Sequence, residues 1–400
     1  MITRNLEPII EQVAQEYPVL AIVGPRQSGK TTLTRKLFPQ HAYVSLENLD
    51  LRQQAEDDPR SFLADWDPPV IFDEIQRVPQ LFSYLQERVD VNADPGQYVL
   101  TGSHQFLLME KISQSLAGRI ATFKLFPFSF TELAGRRPDT SLEDIFTTGE
   151  IDVSEGAPDH LQLLFTGLYP RIHDRKLAPR RWHENYVQTY VERDVRSLVN
   201  VGDLRLFEDF LKICAAHSGQ LLNYLSIGNA IGVSQPTVKR WISLLETSGI
   251  VFLLSPHYAN FSKRIVKTPK LYFVDTGVLC FLLSIRHADE LRAHPLRGEI
   301  FETFIIGEYY KRIAHIGESS PLYFWRDKTG NEIDMIVDFG TRLLPVEIKS
   351  AKTFSPSFRD GVNRWLKLKG NAATEGKIIY TGDRIIGKND AIQVVPWWTC

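Results

Sequence analysis

A nine-residue stretch near the N-terminus has the residue types and spacing that bind phosphate groups. Its sequence, GPRQSGKTT, matches G-x-x-x-x-G-K-[ST] and lies between an apolar run, VLAIV, and a helix-like run, TTLTRKLF. In that setting, backbone N–H groups at a helix N-terminus surround the phosphates of a nucleotide. A chance glycine turn is the alternative, and the strand-to-helix setting disfavours it. The expected nucleotide contacts are Gly24, Pro25, Arg26, Gln27, Ser28, Gly29, Lys30, Thr31 and Thr32.

Four side chains in and after this loop could carry out the hydrolysis of ATP with magnesium. Lys30 would neutralise the β- and γ-phosphates, and the Thr31 hydroxyl would ligate the ion. Asp73 ends the apolar strand VIFD and would hold the same ion, directly or through water. Glu74 follows and could activate the attacking water. The alternative for the two acids is a solvated pair at a strand end, which the upstream loop disfavours.

A third apolar run, YVLTGS, ends in polar residues. Ser103 is our first candidate for sensing the γ-phosphate or positioning the water, and Thr101 is the second. A simple strand cap is the alternative for both.

A second group of ionisable residues lies toward the C-terminus, in EIDMIVDFGTRLLPVEIKS. Side-chain alternation places Asp334 on one face of a first strand, and Glu347 and Lys349 on one face of a second. A turn at Gly340 would pair the strands, so the two carboxylates can approach each other. Such oxygen ligands suit magnesium, and the lysine could stabilise an attacking hydroxide or the phosphorane charge.

The neighbouring helix RGEIFETFIIGEYY offers a third metal ligand, Glu302, with Glu299 one turn earlier. The complete set, Glu302, Asp334, Glu347 and Lys349, resembles the PD-(D/E)xK nucleases. The alternative is an ordinary amphipathic strand in a fold that is kept only to bind DNA.

Composition limits the class of protein. The 400 residues carry a formal net charge of −2, with 43% hydrophobic and 24% charged residues, as in ordinary globular proteins. Nucleic acid would therefore have to meet a local basic patch. The three cysteines, Cys214, Cys280 and Cys400, form no metal-ligand spacing and predict no disulfide framework. No apolar run approaches the roughly 18 residues that span a membrane. We expect a cytoplasmic protein.

The elements that must position these residues follow from hydrophobic periodicity. Five apolar runs, PVLAIVG, AYVSLEN, PVIFDEI, GQYVLTGS and ATFKLFP, predict strands buried on both faces, hence a parallel α/β sheet. Residues 136–160 are polar and rich in turn formers, and predict a connection. Residues 221–254 predict a helix that ends at Gly232, a second helix capped by Ser234, and a strand, the order of a winged helix.

Together, the phosphate loop, FDEIQRVP, LTGS, SLAGR and LFPFSFTE resemble a family of bacterial and archaeal AAA-type ATPases. That family carries a C-terminal domain of unknown function with a nuclease-like fold. The resemblance implies a sheet in AAA order and a homo-oligomer, for which a hexameric ring is one form. It also implies an arginine that reaches the γ-phosphate of a neighbouring subunit. Arg119 is the first candidate and Arg193 the second, with surface ion pairing as the alternative.

The second helix of the winged-helix segment offers Gln235, Lys239 and Arg240 near its start, where such helices meet DNA. The later stretch HYANFSKRIVKTPK adds a second set of cations, Lys263, Arg264, Lys267 and Lys270. It also holds the aromatic residues Tyr258 and Phe261, which could stack on bases. We expect contacts mainly to the DNA backbone. Winged helices also serve as packing modules, which is the alternative.

The predicted fold class is α/β. An AAA-type domain (1–135) is followed by a connection and helical lid (136–205), a winged helix (206–258) and a PD-(D/E)xK nuclease-like domain (259–400). We expect an oligomeric ATPase that acts on DNA, a motor or remodeller of branched or single-stranded DNA with a candidate metal-dependent nuclease site. The alternative is an ATP-driven switch that controls a protein partner, with a non-cutting scaffold at its C-terminus.

Overall fold

The computed structural model describes residues 2–103, 115–147, 159–190, 204–258, 268–368 and 373–399. The chain divides into two compact units. Unit 1 comprises Met1–Leu142, Ser243–Ile250 and Lys311–Ser319, and unit 2 comprises Glu143–Ile242, Val251–Tyr310 and Ser320–Cys400.

Unit 1 is built on a parallel five-stranded sheet in the order β2-β3-β4-β1-β5. All five predicted strands are confirmed: β1 (Val19–Gly24), β2 (Ala42–Ser45), β3 (Val70–Asp73), β4 (Tyr98–Ser103) and β5 (Ile120–Lys124). Alternate residues of β1 enter two different apolar layers, Val19 and Ala21 in one and Leu20 and Ile22 in the other. Both faces of the sheet are therefore covered, which explains why the strands read as continuous apolar runs.

Short polar caps begin several helices of unit 1. The Asn48 side chain accepts hydrogen bonds from the N–H groups of Asp50 and Leu51, and Ser129 forms a capping box with Glu132. The helices that lie wholly in this unit are Glu7–Val13, Lys30–Leu37, Leu49–Asp57, Pro59–Asp65, Leu81–Val91 and Phe130–Leu133.

The described part of the predicted polar connection 136–160 contains the short helix Leu142–Phe146, in which Ile145 and Phe146 are buried. Its two apolar side chains outweigh the local turn formers. The helices that follow are His160–Thr166, Pro170–Arg175, Pro179–Tyr190 and Leu204–Ala216.

The predicted helix, turn, helix and strand are confirmed as elements. Helix Tyr224–Ile231 ends at Gly232, whose φ of 74° is left-handed, and helix Gln235–Thr247 follows. Trp241 on the second helix packs on Phe207 and Phe210, with ring centroids 5.2 and 5.1 Å away. Strand β6 (Val251–Leu254) pairs antiparallel with β7 (Lys270–Phe273), and helix Thr276–Leu282 comes next. The winged-helix assignment itself stays a prediction.

Unit 2 also holds a mixed sheet in the order β12-β11-β10-β9-β8. The first three strands along the chain are antiparallel, and β10, β11 and β12 are parallel. Helix Arg297–His315 precedes this sheet and helix Asp360–Leu366 lies between β10 and β11 in the chain. The strands are β8 (Leu322–Arg326), β9 (Glu332–Asp338), β10 (Leu343–Lys349), β11 (Gly376–Tyr380) and β12 (Ile392–Pro396).

Within the described ranges, no helix has both the length and the hydropathy that crossing a membrane would need. Cys214 and Cys280 are buried free thiols.

Candidate functional site

The phosphate-binding loop lies at the carboxyl end of β1. Gly24 ends the strand, and a Cβ atom placed there would lie 2.1 Å from the carbonyl oxygen of Leu125, so only glycine fits. Gly29 caps the following helix with a φ of 98°. Lys30 is 6% exposed, and its ammonium donates to the carbonyl oxygens of Gly24 and Pro25 at 3.0 and 2.9 Å. The Lys30 ammonium thus lies against the loop in which the phosphates of a nucleotide would bind.

Asp73 accepts hydrogen bonds from three hydroxyl groups. The Thr31 hydroxyl lies 3.3 and 3.2 Å from its two carboxylate oxygens, and the Tyr43 hydroxyl lies 2.5 Å from Oδ2. Thr101 donates to Oδ1. Burial and the Asp73 hydrogen bond both raise the pKa of Tyr43, so its hydroxyl remains a donor. These bonds fix the orientation of a carboxylate that ends β3.

The remaining predicted hydrolysis residues differ in how the structure places them. Glu74 follows Asp73 in a left-handed conformation, with a φ of 57°, and its carboxylate accepts a hydrogen bond from Gln76. Ser103 ends β4 and is in register with Gly24 on β1, while its side chain lies outside the described part. Thr101, the second sensor candidate, instead points its hydroxyl at Asp73.

The two arginine candidates stay predictions. Arg119 forms an ion pair with Asp90 of its own chain, and its Nη1 donates to the carbonyl oxygen of Ala117 at 3.1 Å. The Arg119 side chain is 36% exposed. Arg193 lies outside the described residues.

A buried arginine that sequence reasoning missed, Arg4, donates a hydrogen bond to the backbone of the phosphate-binding loop. Arg4 donates to the carbonyl oxygens of Ser28 and Phe126 at 2.8 and 2.7 Å, and its Nε lies 3.1 Å from Glu132. Both charged side chains are almost fully buried. No local pattern marks Arg4, because its partners are distant in the chain.

The residues of this loop fit a nucleotide with magnesium. At the end of β1, Gly24 lets the backbone of Leu125 approach closely, which a side chain at this position would prevent. Ser28 is completely buried, and its hydroxyl has no hydrogen-bond partner among the described residues. Thr31 and Asp73 supply adjacent oxygen ligands.

Unit 2 brings the second predicted group together in a carboxylate cluster. We define this cluster by its acids, Glu302, Glu332, Asp334 and Glu347. The β9–β10 register pairs Met335 with Val346, so Asp334 and Glu347 are adjacent on neighbouring strands. The Asp334 carboxylate accepts from the N–H of Ile348 at 2.7 Å, and Lys349 donates to Glu347 Oε1 at 2.5 Å.

Strand β7 adds two residues that sequence reasoning did not place in this cluster. The Lys270 ammonium lies 3.1 Å from Glu302 Oε1 and also pairs with Glu332, and the Lys270 side chain is only 4% exposed. The Tyr272 hydroxyl donates to the same Glu302 oxygen at 2.5 Å. Glu302, rather than Glu299, therefore joins the cluster. The sequence predicts Lys270 as one cation of a DNA-binding stretch, but its side chain is buried against Glu302 and Glu332 instead.

Burial and mutual repulsion raise the pKa values of the cluster's acids. Burial and then the charge of Asp334 raise the pKa of Glu302 to about 7 and that of Glu347 to about 8. Burial also raises the pKa of Asp334. Burial alone would lower the pKa of Lys349, but the carboxylates of Asp334 and Glu347 raise it overall.

The predicted ligands Glu302, Asp334 and Glu347 thus interact, and one oxygen among them is unsatisfied. Glu347 Oε2 is buried and has no hydrogen-bond partner among the described residues. Within the same ranges, no three His, Cys, Asp or Glu side chains are arranged to ligate one ion. Metal binding at this cluster stays a prediction.

The candidate DNA contacts divide between described and undescribed parts of the chain. Gln235, Lys239 and Arg240 are exposed on helix Gln235–Thr247, and the Lys239 ammonium lies 5.5 Å from the ring centroid of Tyr224. In the second set, Lys263, Arg264 and Lys267 lie outside the described residues, as does Phe261, while Lys270 is described and buried.

Comparison with known proteins gives three family matches. They are an AAA domain over residues 16–134, a domain of unknown function (DUF8612) over 158–289, and a domain of unknown function (DUF4143) over 297–400. A solved structure, the Walker-type ATPase PABY2304 of Pyrococcus abyssi, is 15% identical and covers 70% of this chain and 96% of its own, with a TM-score of 0.44. That overall similarity is too low to establish a shared fold.

Two curated relatives match almost the whole chain. They are uncharacterized protein Mb2031c of Mycobacterium bovis and uncharacterized protein Rv2008c of Mycobacterium tuberculosis. Each is 30% identical over 398 residues, which is 98% of this chain and 83% of the relative. The chain belongs to the family of these mycobacterial proteins, and its N-terminal part is an AAA-type P-loop ATPase domain.

Proposed function

We propose that this protein is an oligomeric ATPase that hydrolyses ATP to act on DNA, as a motor or remodeller of branched or single-stranded DNA. The observation that carries the proposal is the arrangement at the ends of β1 and β3. There Lys30 contacts the loop carbonyl of Gly24 and Thr31 donates to Asp73, in the sheet order of a P-loop ATPase. Glu74 follows Asp73 in the chain.

Each residue has a separate part in the proposed hydrolysis. The loop N–H groups and Lys30 bind and orient the phosphates. Thr31 and Asp73 would hold magnesium, which supplies charge neutralisation to the phosphates. Glu74 accepts the proton of the attacking water, and Gln76 donates a hydrogen bond to one oxygen of the same carboxylate. Arg119 from a neighbouring subunit would complete the site.

DNA as the substrate is supported by exposed cations and by the carboxylate cluster. Lys239 and Arg240 lie exposed on the second helix of the helix-turn-helix, where phosphates could be bound without sequence preference. Glu302, Asp334 and Glu347 would hold a hard divalent cation, which would activate water against a phosphodiester. Lys349 is fixed beside Glu347 and could stabilise the charge that develops.

A specific contact also favours the second candidate, an ATP-driven switch with a non-cutting scaffold. The Lys270 ammonium binds Glu302 where the first proposal needs a metal ligand. In that case the cluster is a buried ion network that stabilises a protein-docking domain.

The deciding experiment measures ATP turnover by the full chain with and without forked or single-stranded DNA at low salt. We expect DNA to bind and to stimulate turnover. Glu74→Gln should bind ATP and not hydrolyse it, because an amide cannot accept the proton, while Lys30→Ala should lose nucleotide affinity. Unstimulated turnover together with no DNA binding would favour the switch.

Cleavage is tested in parallel with magnesium and with manganese. Any cutting should vanish in Lys349→Ala while ATP turnover survives, since the two sites use different residues. If the protein neither binds metal at the cluster nor cuts DNA, and Asp334→Ala leaves DNA affinity unchanged, the cluster is the remnant of a nuclease site and has no role in cleavage.

A further inference from the structure

Lys270 is not one of the predicted nuclease residues, yet its ammonium contacts two carboxylates of the cluster, those of Glu302 and Glu332. Its ammonium binds Glu302 at 3.1 Å and pairs with Glu332, and it lies 5.6 Å from the ring centroid of Phe324. A cation bound by two carboxylates on one side and an aromatic ring on another occupies a defined place.

The backbone that carries Lys270 is held from both sides. Residues 270–273 pair with β6, where Lys270 opposes Leu254, and Lys270 also forms an isolated bridge with Leu221. The N–H of Leu222 donates to the carbonyl oxygen of Pro269 at 2.9 Å. The pairing of β6 with β7 thus fixes the position of the Lys270 ammonium beside the carboxylates of the cluster.

We propose that Lys270 is a built-in competitor of the divalent cation, so that metal loading of the cluster requires its ammonium to leave Glu302. This inference rests on the proposed metal site and adds its regulation. An ammonium at Glu302 repels an approaching cation and occupies the oxygen that the cation needs. Burial strengthens this repulsion, because the local dielectric constant is lower than that of water.

Other features of the cluster agree with such competition. Glu347 Oε2 has no partner among the described residues, as expected of a ligand oxygen that is not engaged. Tyr272 donates to Glu302 from the same strand, so β7 holds this carboxylate by two contacts.

The test compares Mn²⁺ affinity, by the electron paramagnetic resonance signal of the free ion, among full-length proteins. Every protein carries Asp73→Asn, which removes the ion site of the ATPase domain. Lys270→Met should bind Mn²⁺ at least about tenfold more tightly than the unchanged cluster, because a buried positive charge has gone. The matched control is Lys377→Met. Lys377 is a buried lysine on β11 of the mixed sheet, it donates to the carbonyl oxygen of Phe146, and its loss should leave Mn²⁺ affinity unchanged.

A double variant separates occupancy from net charge. Lys270→Met with Glu332→Gln removes one positive and one negative charge, so the total charge of the cluster is kept. It should still bind Mn²⁺ more tightly, because the competing group is absent. Affinity equal to that of the unchanged cluster in either variant would overturn the inference and leave the metal site standing. No Mn²⁺ binding in any protein would overturn both.

A measurement without substitution at the cluster applies if the variants do not fold. Mn²⁺ should increase the acetylation of Lys270 by an amine-reactive ester several-fold, since displacement frees the ammonium from its carboxylates. Lys377 in the same digest is the internal control. Unchanged labelling of Lys270 at Mn²⁺ concentrations that occupy the site would contradict the displacement.

Discussion

At the scale of single residues, Asp73 shows how the sheet prepares an ion ligand. Its carboxylate accepts from hydroxyl groups on three different elements, Thr31 after the loop, Tyr43 on β2 and Thr101 on β4. A carboxylate that accepts hydrogen bonds from several donors loses rotational freedom before any ion arrives. Thr101 is consequently a positioning residue for Asp73.

We expect Thr101→Val to reduce ATP turnover by about tenfold or more, because a hydrogen bond to a charged group is lost at nearly constant side-chain shape. Nucleotide binding without magnesium should be unaffected. The measurement is turnover as a function of magnesium concentration, with the midpoint shifted upward in the variant. Thr122→Val, at an exposed position of β5, is the control. An unshifted midpoint would remove Thr101 from this role.

A second residue, His315, forms part of the buried charge network of unit 1. His315 is fully buried, its Nδ1 lies 3.4 Å from Glu132, and neither ring nitrogen has a hydrogen-bond partner among the described residues. Burial lowers its pKa to about 4; Glu132 acts in the opposite direction, while Arg4 and Lys311 lower the pKa further.

This histidine should make unit 1 less stable in mild acid. Between about pH 6.5, the ordinary value, and about pH 4, the unfolded chain binds a proton that the folded chain does not. Stability therefore falls as the pH is lowered through this window, by at most about 1.4 kcal/mol per pH unit for one proton. The melting temperature should fall from pH 7 to pH 5, and His315→Gln should reduce that fall. His287→Gln, at an exposed position, serves as the comparison. A pH profile that is identical in His315→Gln would contradict the assignment.

At the scale of elements, helix Gln235–Thr247 has one buried side and one basic exposed side. Val238, Trp241 and Ile242 are buried, while Gln235, Lys239 and Arg240 are exposed near the start of the helix. The buried residues require this orientation, and the cations then face solvent. The element is suited to phosphate contacts that read no sequence.

Replacing Lys239 and Arg240 together by Gln should weaken DNA binding similarly for unrelated sequences. If both contact phosphates, the slope of log affinity against log salt should become shallower by roughly two. Fluorescence anisotropy over a salt series measures both effects. Lys212→Gln is the control, because that lysine pairs with Asp209 at 3.5 Å on another helix. Charge removal at Lys263, Arg264 and Lys267 is the companion prediction, and unchanged affinity in both sets would place the DNA contact elsewhere.

At the scale of the whole molecule, the proposed assembly requires an arginine from a neighbouring chain. Arg119 is partly exposed and paired with Asp90 in its own chain, so both a structural and a catalytic role are compatible with its contacts. An exposed ion pair of this kind contributes little to stability. The two roles differ in what happens when the partner acid is removed.

Arg119→Ala should bind ATP and lose hydrolysis, by about 10³–10⁵ if it acts as arginine fingers do in other phosphoryl-transfer systems. Asp90→Asn should retain most turnover, because it removes only the ion pair. Mixing Arg119→Ala with Lys30→Ala subunits should restore part of the activity, since one site in such a mixture can combine an intact loop with an intact arginine. Equal, small effects of both single variants would assign Arg119 to the ion pair alone.

Features that depend on a few neighbouring residues could be predicted from the amino-acid sequence. The glycines and Lys30 of the loop were predictable from the spacing of a phosphate-binding motif, and the acid after the β3 strand from the apolar run before it. The alternation around Asp334 and Glu347 was predictable because the two-residue period of a strand fixes which neighbours share a face. The five strands of unit 1 followed from continuous apolar runs for the same reason.

The distant residues that complete the sites could be identified only from the folded chain. Arg4 reaches Ser28 and Glu132, Thr101 reaches Asp73, and Lys270 and Tyr272 reach Glu302. These partners are 24 to 128 residues apart in the chain. Local periodicity carries no information about such pairs. Their approach depends on strand order and on how each helix packs against its sheet, and burial then gives each contact its strength.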